Sequence, residues 1–188
     1  MKVLAFLTDG FETVEALAVI DVLRRAKINV ITVSITGDKL VESAQNIKVQ
    51  ADSLISEIKC EKDDVMFLPG GPGHKAYVDC EALTDMLITH NNEGGRIAAI
   101  CAAPGTLEYF NILEGKDCTS YPGCIEDKDK VNYIEDELVV VDKNIITSRG
   151  PATALMFALK ILEELGYINE MEEIKESMLV NLYNKYAK

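Results

Sequence analysis

Tryptophan is missing from this 188-residue sequence, and Phe and Tyr together supply only 6% of it. Stacking platforms for single-stranded nucleic acid are therefore scarce. Positive charge is also short: 19 Lys and Arg stand against 31 Asp and Glu, a net charge of −12. Such a surface repels phosphate backbones and anionic membranes, which argues against nucleic acid as a tight direct ligand and against a membrane partner. Histidine occurs only as His74 and His90, and no His/Cys/Asp group has metal-ligand spacing, so no metal is expected. No G-x-x-x-x-G-K-[ST] phosphate loop is present. No apolar run reaches membrane-spanning length, and the start MKVLAFLTDG lacks a signal-peptide pattern, so a cytoplasmic protein is expected. The five cysteines, at positions 60, 80, 101, 118 and 124, are odd in number and form no C-x-x-C. They read as reduced thiols; Cys118 and Cys124 are close enough in sequence to bridge under oxidation, but two ordinary thiols is the preferred reading.

What is present is alternation of strand and helix patterns. Buried strands are expected over Lys2–Thr8, Ile28–Ile35, Asp64–Leu68, Arg96–Ile100, Glu137–Val141 and Ile145–Ser148. Helices are expected over Glu12–Lys27, Glu81–Glu93, from Ala103 onward, over Pro151–Leu165 and over Glu170–Tyr186, with a short hairpin over Lys39–Ala51. This order predicts an α/β fold: one domain over residues 1–188, a doubly wound, mostly parallel sheet with helices on both faces. Sites in such folds lie beyond the carboxyl ends of the strands. That selects the loops Thr8–Phe11, Pro69–Gly73, Cys101–Pro104 and Arg149–Pro151.

The segment RIAAICAAPG carries the most chemistry. A strand ends at Ile100, and Pro104 suits the first turn of the next helix, where a missing N–H costs nothing. Cys101 falls at the joint, near a helix N-terminus that favours thiolate over thiol. The strand–nucleophile–helix arrangement parallels the nucleophile elbow, although G-x-S-x-G itself is absent. A buried structural cysteine is the alternative. In the first helix, Glu15 shares a face with Phe11, Ala18, Val19 and Val22, with no base three or four positions away. A carboxyl turned into such a face has a raised pKa and can hand protons to or from a neighbour; an exposed Glu favoured by the helix dipole is the alternative. Asp9 and Glu12 suggest an approximate capping box for this helix.

FLPGGPG places Gly70 and Gly71 where backbone N–H groups approach a ligand closely, or where a simple turn is needed. Gly71, Gly73 and Ala76 also fit G-x-G-x-x-A, but the mid-chain position and poor helix start count against a dinucleotide site. In ITSRGPAT, Ser148 is a candidate cap for the next helix, and Arg149 suits a structural contact better than an anionic substrate. His74 is a weak candidate base for Cys101, and His90 is expected at the surface.

Taken together, ETVEALAVIDVLRRA, DVMFLPGG, AAICAAP and ITSRGPAT resemble the ThiJ/PfpI superfamily, in the branch of the parkinsonism-associated protein deglycase. The likeness runs nearly end to end. It implies a flavodoxin-like fold, a homodimer and no cofactor. It implies that Cys101 is the nucleophile and oxidation-sensitive thiol, and that Glu15 is the protonated glutamate beside it. Gly71 and Ala102 match the positions whose N–H groups face the sulfur or an oxyanion, and Arg149 matches the arginine of the RGP segment that supports the site or the dimer. Two departures stand out. Where many members carry a histidine, this chain has Tyr121, a poor base near neutral pH, so the proton work falls to Glu15. Ala102 replaces the histidine that follows the cysteine in protease-like members, which argues against a peptidase. The implied activity is cofactor-free chemistry on small reactive carbonyls, of glyoxalase or deglycase type, turning methylglyoxal or its adducts into lactate. The rival is an oxidative-stress sensor or redox-regulated chaperone in which Cys101 becomes sulfinic acid.

Overall fold

The computed structural model describes residues 1–186, the backbone alone at residues 183, 184 and 186. Eleven strands lie among these residues: β1 (Val3–Leu7), β2 (Val30–Ser34), β3 (Leu40–Glu42), β4 (Lys48–Gln50), β5 (Ser53–Leu54), β6 (Val65–Leu68), β7 (Arg96–Ile100), β8 (Asp117–Cys118), β9 (Asn132–Tyr133), β10 (Val139–Asp142) and β11 (Ile145–Ser148). The helices are α1 (Thr13–Arg25), α2 (Ala76–Asp79), α3 (Glu81–Asn92), α4 (Ala103–Tyr109), α5 (Ala154–Glu164), α6 (Ile168–Ser177) and α7 (Val180–Tyr186). Seven strands form the central sheet in the order β10-β11-β7-β6-β1-β2-β5. All its neighbours pair parallel except β10 with β11, which form an antiparallel edge. This is the doubly wound α/β architecture that the alternation predicts.

The apolar runs are continuous because both faces of the sheet are covered. In β1 every residue is fully buried, and the period of two divides them. Val3, Ala5 and Leu7 join a core with α1 and α5, while Leu4 and Phe6 join one with Leu83, Leu87 and Leu107 of α3 and α4. Each of the Val, Leu and Phe side chains contributes about 1.5–3 kcal/mol by leaving water. The strand order reverses at β1, which has β2 on one side and β6 on the other. Doubly wound folds open their crevice there, outside the carboxyl ends.

Several local expectations need correction. The first helix starts at Thr13, so its cap position is Glu12, which makes no side-chain cap; Asp9 lies outside the helix, and its carboxylate accepts from Glu42 N–H at 2.9 Å. Ser148 does not cap the late helix: its hydroxyl donates to the Leu138 carbonyl, and Thr153 closes the Gly150 turn. That helix opens as a 3₁₀ turn over Pro151–Thr153 before α5. The C-terminal helical stretch is broken between α6 and α7 at Leu179, whose φ of 59° is left-handed. His90 is not at the surface: it is 3% exposed, with its ring between Cys60 and the Arg96 carbonyl.

Candidate functional site

Main-chain hydrogen bonds tie the first two strand-end loops to each other and the cysteine elbow to the end of β11. Gly73 N–H donates to Gly10 C=O at 3.0 Å, Glu12 N–H to Gly70 C=O at 2.9 Å, and Cys101 N–H to Ser148 C=O at 2.9 Å. The Cys101 carbonyl in turn accepts from Tyr121 N–H at 2.8 Å. Both backbone groups of the cysteine are therefore fixed.

Cys101 stands between the end of β7 and the start of α4 with φ of 64°. A residue with a Cβ enters this left-handed region at a cost of roughly 1–2 kcal/mol. Held strain of this kind marks sites where a side chain is aimed on purpose. The half-buried sulfur receives the N–H groups of Gly71 and Ala102 as hydrogen-bond donors, and both favour the thiolate. Burial acts in the opposite direction and more strongly, and the negative charge of Glu15 adds to it. The lowered thiol pKa expected from the helix terminus is therefore overridden: burial first, and then the Glu15 charge, push the thiol up.

Glu15 lies on the inward face of α1 and is fully buried. Its Oε2 accepts from Gly70 N–H at 2.9 Å. Its Oε1 is buried without a hydrogen-bond partner of good geometry, and the neighbouring side chain that acts on the carboxyl by hydrogen bonding is Cys101. Burial raises the carboxyl from 4.5 to about 7, against the opposing pull of Cys101 and Gly70, with Glu12 adding a smaller push. The acid and the thiol are thus brought together, as the sequence pattern suggested, and they titrate as a pair.

Gly70 makes this approach possible. A Cβ built there would lie 2.7 Å from Cys101 Cβ, 2.8 Å from Glu15 Oε2 and 2.9 Å from Ala102 N. No real Cβ tolerates those contacts, so one of the three groups must move. We expect Gly70→Ala to slow alkylation of Cys101 at least about tenfold and to cost about 1–3 kcal/mol of stability, the range for overpacking. Iodoacetamide labelling and thermal unfolding measure both, and a wild-type rate with an unchanged Tm would refute it. Gly71 has a different requirement, a φ of 100° that turns its N–H toward the sulfur.

The remaining candidates surround the pair. Tyr121 is 51% exposed, and its ring lies over Gly150. It meets Cys101 through its main chain. Arg149 donates to the Glu135 carbonyl and, at 3.5 Å, to Thr119 Oγ1. It holds the segment before β10 onto the end of β11, in keeping with the structural reading. His74 uses Nδ1 on the Gly71 carbonyl at 3.0 Å and makes no hydrogen bond to Cys101 among the described residues, which leaves it without the suggested base role. Cys124 is close enough for the Glu15 charge to reach it. No disulfide links it to Cys118; all five cysteines are free thiols.

One supporting residue escaped the sequence reading. Tyr77 is fully buried, and its hydroxyl points at the carbonyls of Phe6 and Pro69, 3.0 Å from each. It ties the end of β1 to the residue before Gly70. Its only sequence signal is a tyrosine a few residues after the glycines.

Among the described residues no three metal-ligating side chains gather around one point, and no helix is long and apolar enough to cross a membrane. The model of the DJ-1/PfpI family matches residues 1–164. Drosophila melanogaster protein dj-1beta is 38% identical over 179 residues, covering 94% of this chain and 96% of that protein. Its crystal structure superposes with a TM-score of 0.88 at 36% identity, covering 95% of this chain and 98% of that one. The Danio rerio Parkinson disease protein 7 homolog is 34% identical over 185 residues, 95% of this chain and 97% of the relative. The Caenorhabditis elegans glutathione-independent glyoxalase DJR-1.2 is 33% identical over 159 residues, 82% of each.

Proposed function

The chain belongs to the DJ-1/PfpI family, and from that premise we propose that it is a cofactor-independent enzyme acting on small dicarbonyls such as methylglyoxal. The observation that carries this reading is the buried Glu15 carboxyl paired with Cys101 beneath the N–H groups of Gly71 and Ala102. The similarity to a protein named as a glutathione-independent glyoxalase supports it.

The chemistry follows from where one proton sits. With that proton on Glu15, the charge that adds to burial in pushing the thiol up is gone, and the two backbone donors work in favour of the thiolate against burial alone. The thiolate adds to the aldehyde carbon, forming a C–S bond and an alkoxide that takes the proton from Glu15. The resulting hemithioacetal carries a hydrogen on the carbon next to a ketone. Glu15, now a carboxylate, removes that hydrogen, and the proton is delivered to the former ketone carbon. The carbon that was an aldehyde is now a thioester, and its neighbour is an alcohol. Water cleaves the C–S bond and releases lactate and the thiol. The sequence is an internal redox exchange with net addition of one water, so it needs no outside oxidant. Gly71 and Ala102 N–H stabilise the oxyanions that form on the way.

We expect the purified protein, without added glutathione, to form lactate from methylglyoxal, and in D₂O to place deuterium on the lactate methine carbon from the solvent. Loss of methylglyoxal without lactate would mean simple adduct formation and would end this reading. The enzyme is further proposed to work in the cytoplasm as a homodimer.

A second reading rests on the unpartnered Glu15 Oε1. Two equivalents of peroxide convert the thiolate first to sulfenate and then to sulfinate, each step releasing one water. A proton on Oε1 donates to the new sulfinate oxygen. Intact-mass measurement after mild peroxide, alongside the lactate assay, separates a sensor from an enzyme.

A further inference from the structure

One peptide group joins the glycine turn to the acid. Its N–H, on Gly70, donates to Glu15 Oε2 at 2.9 Å, and its carbonyl, on Pro69, lies 3.0 Å from the Tyr77 hydroxyl. We propose that Tyr77 is a positioning residue of the Cys101–Glu15 site: its O–H holds the Pro69–Gly70 peptide so that the Gly70 N–H stays aimed at Glu15. The link to turnover rests on the function proposed above; the grip on the peptide does not.

The chain leaves a donor missing here. In the β1–β6 ladder Val65 N–H donates to Lys2 C=O, and the register runs from Val3 opposite Val65 to Ala5 opposite Phe67. The ladder repeats every two residues, so after Lys2 and Leu4 the next carbonyl is that of Phe6, and the donor opposite it belongs to residue 69. That residue is proline and has no N–H. The Tyr77 hydroxyl comes in from α2 instead, 3.0 Å from the Phe6 carbonyl as well as from that of Pro69. One O–H thus serves two carbonyls, as a three-centre bond. The ring is fixed: Tyr77 is fully buried in the core that holds Leu4, Phe6 and Leu68. Burial, and then the Glu15 charge, push its phenol up, so it stays a donor wherever the protein is folded.

The grip reaches the acid through the amide. A hydrogen bond accepted by a carbonyl polarises the peptide and strengthens its N–H as a donor. The Gly70 N–H favours the charged carboxyl of Glu15. Without the hydroxyl, Glu15 therefore keeps its proton to higher pH. The other end of Gly70 is already held, because its carbonyl accepts from Glu12 N–H at 2.9 Å. The remaining titratable groups around Glu15 are Cys101 at the elbow, Glu12 before α1 and Cys124, which its charge reaches. A change at Tyr77 leaves all three in place.

The test reads the proton on Glu15 directly, by carboxyl-carbon NMR titration of the full chain, with the Glu15 resonance assigned by its loss in Glu15→Gln. Tyr77→Phe should raise the Glu15 midpoint by at least about half a pH unit. It should also lower kcat for lactate formation about tenfold with KM unchanged, since the hydroxyl touches no substrate. Fluorotyrosine at position 77, a stronger donor of nearly the same size, should move the midpoint down; it decides the question if Tyr77→Phe does not fold. A folded Tyr77→Phe protein with an unchanged midpoint, or a fluorinated one whose midpoint fails to fall, reduces Tyr77 to packing and overturns the proposal. Both shifts in a protein that forms no lactate would instead remove the function proposed for the site and leave the hold of Tyr77 on Glu15 standing.

Discussion

Serine in place of Cys101 is expected to lower lactate formation from methylglyoxal by at least about 10³-fold, with the fold intact. The substitution changes one atom, at a half-buried position whose main-chain hydrogen bonds to Ser148 and Tyr121 do not involve the side chain. Serine tolerates the left-handed φ of 64° about as well as cysteine does, so the elbow should persist and the Tm should move by no more than a few degrees. Chemistry is what changes. A hydroxyl is far too weak an acid for a carboxyl of pKa about 7 to take its proton, so the attacking anion does not form. Cys80→Ser serves as the control, since that thiol lies far along the chain from the elbow and touches neither Glu15 nor the glycine turn among the hydrogen bonds of the site. Lactate assay and thermal unfolding of both variants read the outcome. Wild-type turnover in the Cys101 variant would exclude a covalent thiol mechanism altogether.

The elbow was legible because it combines two strong local signals, a buried run ending at Ile100 and a proline just inside the next helix. Glu15 was legible because a carboxylate in line with Val19 and Val22 breaks a helical pattern. Both signals are periodicities, and periodicity survives without knowledge of the fold. What escaped depends on groups far apart in sequence. The Tyr77 hydroxyl reaches back 71 residues to the Phe6 carbonyl. His90 looks polar and terminal on its helix, yet the space above Gly95 and the carbonyl of Arg96 draw its ring inside. Asp9 looks like a cap in the sequence, but the helix starts three residues later than that pattern implies, and the Asp9 carboxylate accepts from the distant Glu42 N–H. The strand alternation implied a parallel sheet, whereas the pairing of β7 with both β6 and β11 is non-local and was not readable from any segment.

The thiol's acidity was misjudged for a related reason. A helix N-terminus is visible in sequence, while the depth of burial and the sign of the neighbouring charge are not. Once placed, Glu15 and Cys101 cannot be assigned separate acidities, because each alters the other. Both partners are visible in the sequence; only the geometry shows that each lies close enough to shift the other.

That mutual influence makes Glu15→Gln the most informative remaining substitution. Glutamine keeps the size of the side chain and an oxygen for the Gly70 N–H, but it neither gains nor loses a proton near neutral pH. Removing the acid–base group should lower turnover by about 10²–10⁴-fold. Stability should move the other way. The carboxyl rises from 4.5 to about 7 on folding, chiefly through burial. Between those values the folded chain binds more protons at this site than the unfolded one, so unfolding free energy falls as pH rises. The loss begins near pH 4.5 and is complete above about pH 7, where it amounts to about 3 kcal/mol. Glutamine carries no such penalty. The variant should therefore gain on the wild type steadily across this window and hold its lead above it, while losing activity throughout. Denaturant unfolding of both proteins at pH 4.5, 6 and 8 measures the divergence. Parallel curves would mean that the Glu15 carboxyl is not raised, and a neutral acid beside the thiolate would have to be abandoned.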